Sequence, residues 1–267
     1  MRGAFLDHSA PSLPQVLGSL APDGTAQDCV AVPLLLTAAY HSKADIPARL
    51  AEARAAHPWL VVRTAGTLGP HPLLTAALER RLREAGVAVA DAAARAATSV
   101  VLAAAGSSDP AANATIAALA ERWARERGWR AVVPAFASAS GPRPAEAVAG
   151  LLSGPGAAGP VVVATYLLAP GYFADKIRGG ALGAGASAVS GVLGASPEVA
   201  QVVLDRYDAA RHANAAWHGN PSRAMAASPL GNRFIRGHRL RTDARRVPRH
   251  TQPNAVGYVR SQACLTR

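Results

Sequence analysis

Residues 99–136 read SVVLAAAGSSDPAANATIAALAERWARERGWRAVVPAF, and this stretch decides the fold class. An uncharged run rich in valine, Ser99–Ala104, leads through a Gly-Ser loop into a stretch of helical period, Ala111–Arg127. A second apolar run, Ala131–Phe136, follows. Asp109 stands before Pro110, which pairs an N-cap acceptor with proline at the first helical position, and Gly128 is placed to end the helix. Strands without a polar face, joined by a helix, are the unit of a parallel sheet whose two faces are covered by crossover helices.

The same alternation extends in both directions. Further strands are predicted at Ala4–Leu6, Cys29–Leu36, Leu60–Arg63, Val161–Leu168 and Ser187–Ser190, with Ala-rich helical stretches between them. Half of the 267 residues are apolar but only 5% are aromatic, so the core is built from Ala, Val and Leu. The length suits two domains of ordinary size.

The net charge of +11 suggests a nucleic-acid partner until it is divided along the chain. From His212 onward ten arginines face the single acid Asp243, a balance of +9, which leaves the first 211 residues nearly neutral. Periodicity stops in that tail, and Arg, His, Asn, Pro and Gly take over, a composition that predicts disorder. Cys29 and Cys264 are too few for a disulfide framework and fit a reducing compartment. No apolar run is long enough to cross a bilayer, and no signal-type segment follows Met1, so a cytoplasmic location is expected.

Self-similarity refines the picture. At an offset of 131, Ala4-Phe5 falls on Ala135-Phe136 and Pro11 on Pro142. At 132, Leu35-Leu36 and Tyr40 fall on Leu167-Leu168 and Tyr172. At 125, Leu68-Gly69, Pro72 and Arg81 fall on Leu193-Gly194, Pro197 and Arg206. Collinear matches predict a duplication: a first domain over residues 1–94, a second over 95–211 and a basic tail over 212–267. The strand, loop and helix that open the second half, Ser99 to Arg127, would map before Met1. The first half is therefore expected to lack its opening strand and helix.

Chemistry-bearing residues gather where predicted strands end. In open α/β sheets ligands sit outside the carboxyl ends of the strands, which is where His41 falls, in Tyr40-His41-Ser42-Lys43-Ala44-Asp45. An imidazole there can hold a divalent metal or take a proton near neutral pH; it can equally cap a helix or face solvent. Asp7 follows the first strand and would lie at the same sheet edge, unless it serves the turn itself. The second half carries Phe173 and Ser138 at the matching positions, so any metal site belongs to the first half alone. The Ala104–Pro110 loop lacks both dinucleotide and P-loop spacing and reads as a tight structural turn. His57 and His71 have no partners at ligand spacing.

Taken as an ordered set, Ala4–Leu13, Leu34-Leu35-Leu36 with Tyr40-His41 and Asp45-Ile46-Pro47, Leu68–Pro72, Ala105–Pro110 and Tyr166–Phe173 resemble the sirohydrochlorin chelatase family in its long, two-domain form. The resemblance runs from about Ala4 to Arg211. It implies two tandem Rossmann-like chelatase domains with parallel sheets, and an enzyme that inserts Co(II) or Fe(II) into a tetrapyrrole for cobalamin or sirohaem synthesis. His41 matches the family's metal-binding histidine, and Asp7 stands where members carry an acid that helps hold the metal. The family's other histidine, in a His-Gly-Ser loop, belongs to the missing strand, and its second-half counterpart is Ala105.

The implied metal is a substrate, with no cofactor permanently bound. Tyr40, Lys43 and Arg49 are the substrate-binding candidates, and Lys176 and Arg178 could add positive charge at the rim, since the macrocycle carries many carboxylates. The expected partner is the small-molecule tetrapyrrole, with no membrane and no nucleic acid, and the chain is expected to be a pseudo-dimeric monomer or weak homo-oligomer. The competing expectations are a truncated relative that binds metal or tetrapyrrole without turnover, and nucleic-acid binding through the basic tail.

Overall fold

The computed structural model describes residues 1–6, 9–20, 27–38, 45–154, 157–213 and 263–266. The predicted unit at 99–136 is present: β4 (Ser99–Ala104), α5 (Pro110–Arg127) and β5 (Ala131–Phe136). Asp109 caps α5 by accepting the Ala111 N–H at 2.9 Å, and Gly128 closes it in the left-handed region at φ 68°. The second sheet is completed by β6 (Val161–Tyr166) and β7 (Ala188–Val189), with α6 (Pro144–Ser153) and α7 (Tyr172–Gly183) as crossovers. Its order is β5-β4-β6-β7, and every pairing is parallel. All of β4 and β6 is buried, as a strand covered on both faces requires.

The first half contains β1 (Arg2–Phe5), α1 (Leu13–Gly18), β2 (Gln27–Pro33), α2 (Ile46–Ala56), β3 (Leu60–Thr64) and α3 (Pro72–Glu84). A short helix, α4 (Ala92–Ala97), leads into β4, and α8 (Pro197–His212) follows β7. β2 and β3 pair in parallel, but β1 and β2 are not neighbours. Between them runs β8 (Ala263–Thr266), antiparallel to both, giving the order β1-β8-β2-β3.

Two expectations change here. The first sheet is not all parallel, and the tail is not without regular structure throughout. Residues 263–266 pair as a strand because two inward-facing strand edges offer them backbone partners on both sides, an environment that composition does not register.

Strand residues alternate between two layers of core. On β2, Val30 and Val32 face a central core, while Cys29 and Ala31 face the outer layer under α1 and α2. On β4, Val100 and Leu102 face the same central core, and Val101 and Ala103 face the layer under α6 and α7. α3, α5 and α8 all contribute to the central core between the sheets. Leu74, Leu78 and Leu82 recur every fourth residue along α3 and are fully buried, each contributing about 1.5–3 kcal/mol. α3 packs on β6 and α8 on β2 and β3, so each half lays its last helix on the other half's sheet.

Matching hydrogen bonds show that the sequence offsets join equivalent positions. Phe5 N–H donates to the Pro11 carbonyl at 2.9 Å, and Phe136 N–H to that of Pro142 at 2.9 Å. Leu68 N–H donates to Leu35 O and Leu193 N–H to Leu167 O, both at 2.8 Å. The arginines cross over: Arg81 Nη2 donates to Leu193 O at 2.9 Å, and Arg206 Nη2 to Leu68 O at 3.0 Å. Each half thus clamps the other's loop with an arginine.

Candidate metal site

The loops bearing Asp7 and His41 spring from the carboxyl ends of β1 and β2, on one edge of the first sheet. The Asp7 loop is pinned at its base, since Phe5 N–H reaches the Pro11 carbonyl and the two sides bridge at Phe5 and Ser12. Beyond it a reciprocal capping box starts α1: Gln15 N–H donates to Ser12 Oγ at 3.4 Å and Ser12 N–H to Gln15 Oε1 at 2.8 Å. The His41 loop is held by Leu68 N–H on the Leu35 carbonyl and re-enters regular structure at Ile46, with Pro47 in the first turn of α2. Asp7, Tyr40, His41 and Lys43 lie outside the described residues.

Simple lengths bound the arrangement. With one strand between them, β1 and β2 stand about 10 Å apart. Ala38, the last described residue before His41, is three residues away from it, a reach of at most about 10–11 Å. Leu6 adjoins Asp7 directly. Arg49, the remaining candidate, lies exposed in the first turn of α2 and pairs with Glu52 at 3.3 Å.

The second half occupies the equivalent edge differently. Ser138 donates through both its N–H and its Oγ to the Ala105 carbonyl, each at 2.9 Å. Phe173 packs against the outer core and lies 5.7 Å from the ring of Tyr172. Ser107 Oγ accepts the Asp109 N–H at 3.0 Å and Asn113 Oδ1 accepts the Ser107 N–H at 3.0 Å, so the Ala104–Pro110 loop consumes its own polar groups, as a structural turn does. Lys176 Nζ donates to the Ala137 carbonyl at 3.2 Å and Arg178 Nη1 to that of Val189 at 3.3 Å. Among the described residues no three His, Cys, Asp or Glu side chains cluster as a metal would need.

Among the described histidines, His57 and His71 have structural work, and His212 Nδ1 lies 2.8 Å from the Asp208 carbonyl at the end of α8. His71 caps α3, its Nδ1 accepting the Leu73 N–H at 3.2 Å while Nε2 lies 3.7 Å from Asp205. His57 ends α2 and meets Trp59 edge-on at 5.4 Å.

Sequence reasoning did not single out the groups that lock the halves together behind the site. Glu79 on α3 accepts from Trp123 Nε1 at 3.1 Å and from Arg127 on α5 at 2.6 and 2.9 Å. Arg80 pairs with Glu198 across α3 and α8. Burial alone would raise the Glu198 carboxyl, but its own backbone N–H, the Arg80 guanidinium and Ser196 together hold it below the usual carboxylate range. Gly69, within the Leu68–Pro72 segment, has a steric reason: a Cβ there would overlap the Leu36 carbonyl and stand 2.5 Å from Tyr166 Oη. Burial pushes the Tyr166 hydroxyl far above its ordinary value, with Arg122 opposing weakly.

Comparison with known proteins agrees with this architecture. The CbiX family model matches residues 1–85 and 99–210. Sirohydrochlorin cobaltochelatase of Priestia megaterium is 28% identical over 174 residues, 65% of this chain and 55% of that protein. The chain thus spans about half the length of that curated relative. SirB from Bacillus subtilis with Fe3+ superposes with a TM-score of 0.68 at 24% identity, covering 80% of this chain and 82% of that one. A cobalt complex of the sirohydrochlorin chelatase SirB from Bacillus subtilis subspecies spizizenii gives 0.64 at 20% identity, covering 80% and 81%. The fold of two facing sheets with crossed terminal helices is therefore a chelatase fold, and the chain belongs to the CbiX family of sirohydrochlorin chelatases.

Proposed function

We propose that this protein is a sirohydrochlorin metal chelatase that inserts Co(II) or Fe(II) into the macrocycle in the cytoplasm, a lyase-type step in cobalamin or sirohaem synthesis. The observation that carries the reading is the emergence of the Asp7 and His41 loops from two strands of one sheet, at the edge where α/β folds place ligands. Two relatives support it by what they hold or do: SirB of Bacillus subtilis with Fe3+, and the cobaltochelatase of Priestia megaterium.

The chemistry suits these side chains. Metal insertion exchanges two pyrrolic N–H protons for one divalent cation. A neutral imidazole at His41 holds the incoming ion and the Asp7 carboxylate compensates its charge, while a nearby base takes up the released protons. Tyr40, Lys43 and Arg49 would meet the carboxylates of the macrocycle. On this reading residues 1–94 carry the site, residues 95–211 form the facing domain and residues 212–267 stand apart from the chemistry.

The test is to mix protein, sirohydrochlorin and Co(II) or Fe(II) and follow the visible spectrum of the macrocycle. A rate above the protein-free control that His41→Ala abolishes is expected; a rate equal to the control would reject the assignment. A second reading, a relative that binds metal or tetrapyrrole without turnover, draws on one observation: the first sheet holds a four-residue antiparallel strand where the second holds a six-residue parallel one. Wild-type binding of Co(II) without spectral turnover would select it.

A further inference from the structure

β8 sits in the first sheet where β4 sits in the second. In the second sheet β4 pairs over six residues on each side, from Ser99 opposite Ala131 and Val161 to Ala104 opposite Phe136 and Tyr166. β8 pairs over four residues with β1, from Arg2 opposite Thr266 to Phe5 opposite Ala263. On its other side only Val32 and Pro33 pair, opposite Leu265 and Cys264, and Pro33 has no N–H to give. The slot is filled, but by a shorter strand of opposite direction.

We infer that Ala263–Thr266 is a strap with which the chain closes its own first sheet, and that this strap fixes the spacing between the Asp7 and His41 loops. The second part rests on the metal-site reading above.

Three features carry the inference. β1 and β2 share no backbone hydrogen bond, so β8 is what joins them into one sheet. Without it, two strand edges beside the fully buried Ala4 and Ala31 would face each other with unpaired N–H and C=O groups. Because β8 runs antiparallel, its first residue lies opposite Phe5, the last residue of β1. The strap is therefore anchored at the edge where both candidate loops begin. The occupant is this chain's own segment: the 50 residues between His212 and Ala263 have a covalent reach of at most about 165–180 Å, so chain length does not prevent the return.

The experiment uses the full chain with Gly3→Cys and Leu265→Cys in a Cys264→Ser background. Gly3 and Leu265 are directly paired, and no described atom lies within 4 Å of a Cβ built on Gly3. Mild oxidation should yield an intrachain disulfide, read as a linked peptide pair at monomer mass. A link between chains would assign the slot to a second copy and overturn closure in cis; no link would overturn the strap altogether.

Leu265→Pro supplies the second measurement, since proline removes an N–H from the strand. Amide protection should fall in β1 and β2 while β4, β5 and β6 keep theirs, and Co(II) affinity should fall about 10-fold or more, as when a group that orients metal ligands is lost. Wild-type Co(II) affinity in Leu265→Pro alongside loss in His41→Ala would show that the strap has no part in the site. If neither variant altered Co(II) binding although the disulfide forms, the metal reading and the spacing role would fail together and sheet closure would stand.

Discussion

Glu79 offers the sharpest test of how the two halves are joined. Glu79 is only 8% exposed, and its carboxylate accepts the indole N–H of Trp123, itself 1% exposed, and two N–H groups of Arg127. Glu79→Ala leaves the Trp123 N–H buried without a partner, which costs about 1–3 kcal/mol. The Arg127 side chain is 44% exposed and rehydrates, so its lost pairing adds only about 0.5–1 kcal/mol. The expected loss is therefore about 1.5–4 kcal/mol, measured by urea unfolding followed by far-UV circular dichroism. Glu79→Gln keeps an acceptor for the indole and should lose only about 1 kcal/mol. Adding Trp123→Phe to Glu79→Ala removes the orphaned donor, so the second change should be milder by about 1–2 kcal/mol than the same change alone. A loss below about 0.5 kcal/mol for Glu79→Ala, or strict additivity of the pair, would refute this account of the α3–α5 contact.

Other outcomes follow from the same geometry. Gly69→Ala forces a methyl group onto the Leu36 carbonyl and Tyr166 Oη, so the segment after β2 must shift; a stability loss of about 1–3 kcal/mol is expected by the same unfolding assay. Tyr166→Phe should leave stability unchanged or raise it by up to about 1 kcal/mol, because the buried hydroxyl has no hydrogen-bond partner among the described residues. The Glu198 carboxyl is held below its ordinary range, so its contribution is complete above the unfolded-state value near 4.3 and disappears as pH falls through the lower folded-state value. Glu198→Gln should remove about 0.5–1 kcal/mol at pH 7 and flatten that part of the acid limb in a pH series of unfolding curves. The Cys29 thiol is raised, first by burial and then by Asp28, with Arg54 opposing; thiol reagents at neutral pH should label it only as the protein unfolds.

The parallel second sheet was legible because its strands announce themselves: β4 and β5 lack charge, and Asp109, Pro110 and Gly128 mark both ends of α5. The matching positions of Arg81 and Arg206 were legible in their spacing, although their crossed hydrogen bonds to Leu193 and Leu68 required coordinates. β8 was not legible. Ala263–Thr266 is too short and mixed to read as a strand, and it pairs only because distant residues leave a slot of the right width, a tertiary effect that local pattern does not encode. The Glu79 network was hidden for a similar reason: a glutamate four residues from Arg83 on a surface-like helix reads as solvated until α5 covers it. Lys176 and Arg178 read as rim charge, yet their donors reach main-chain carbonyls. Asp7 and His41 stand out through strand ends and family resemblance, and the structure supplies the pinned bases of their loops, at Phe5 with Pro11 and at Leu35 with Leu68.

The most direct test of the central claim is anomalous diffraction at the cobalt edge from crystals grown with Co(II). The account predicts a peak about 2.0–2.2 Å from both an imidazole nitrogen of His41 and a carboxylate oxygen of Asp7. A cobalt ion bound elsewhere, or these two side chains facing away from each other across the sheet edge, would contradict it.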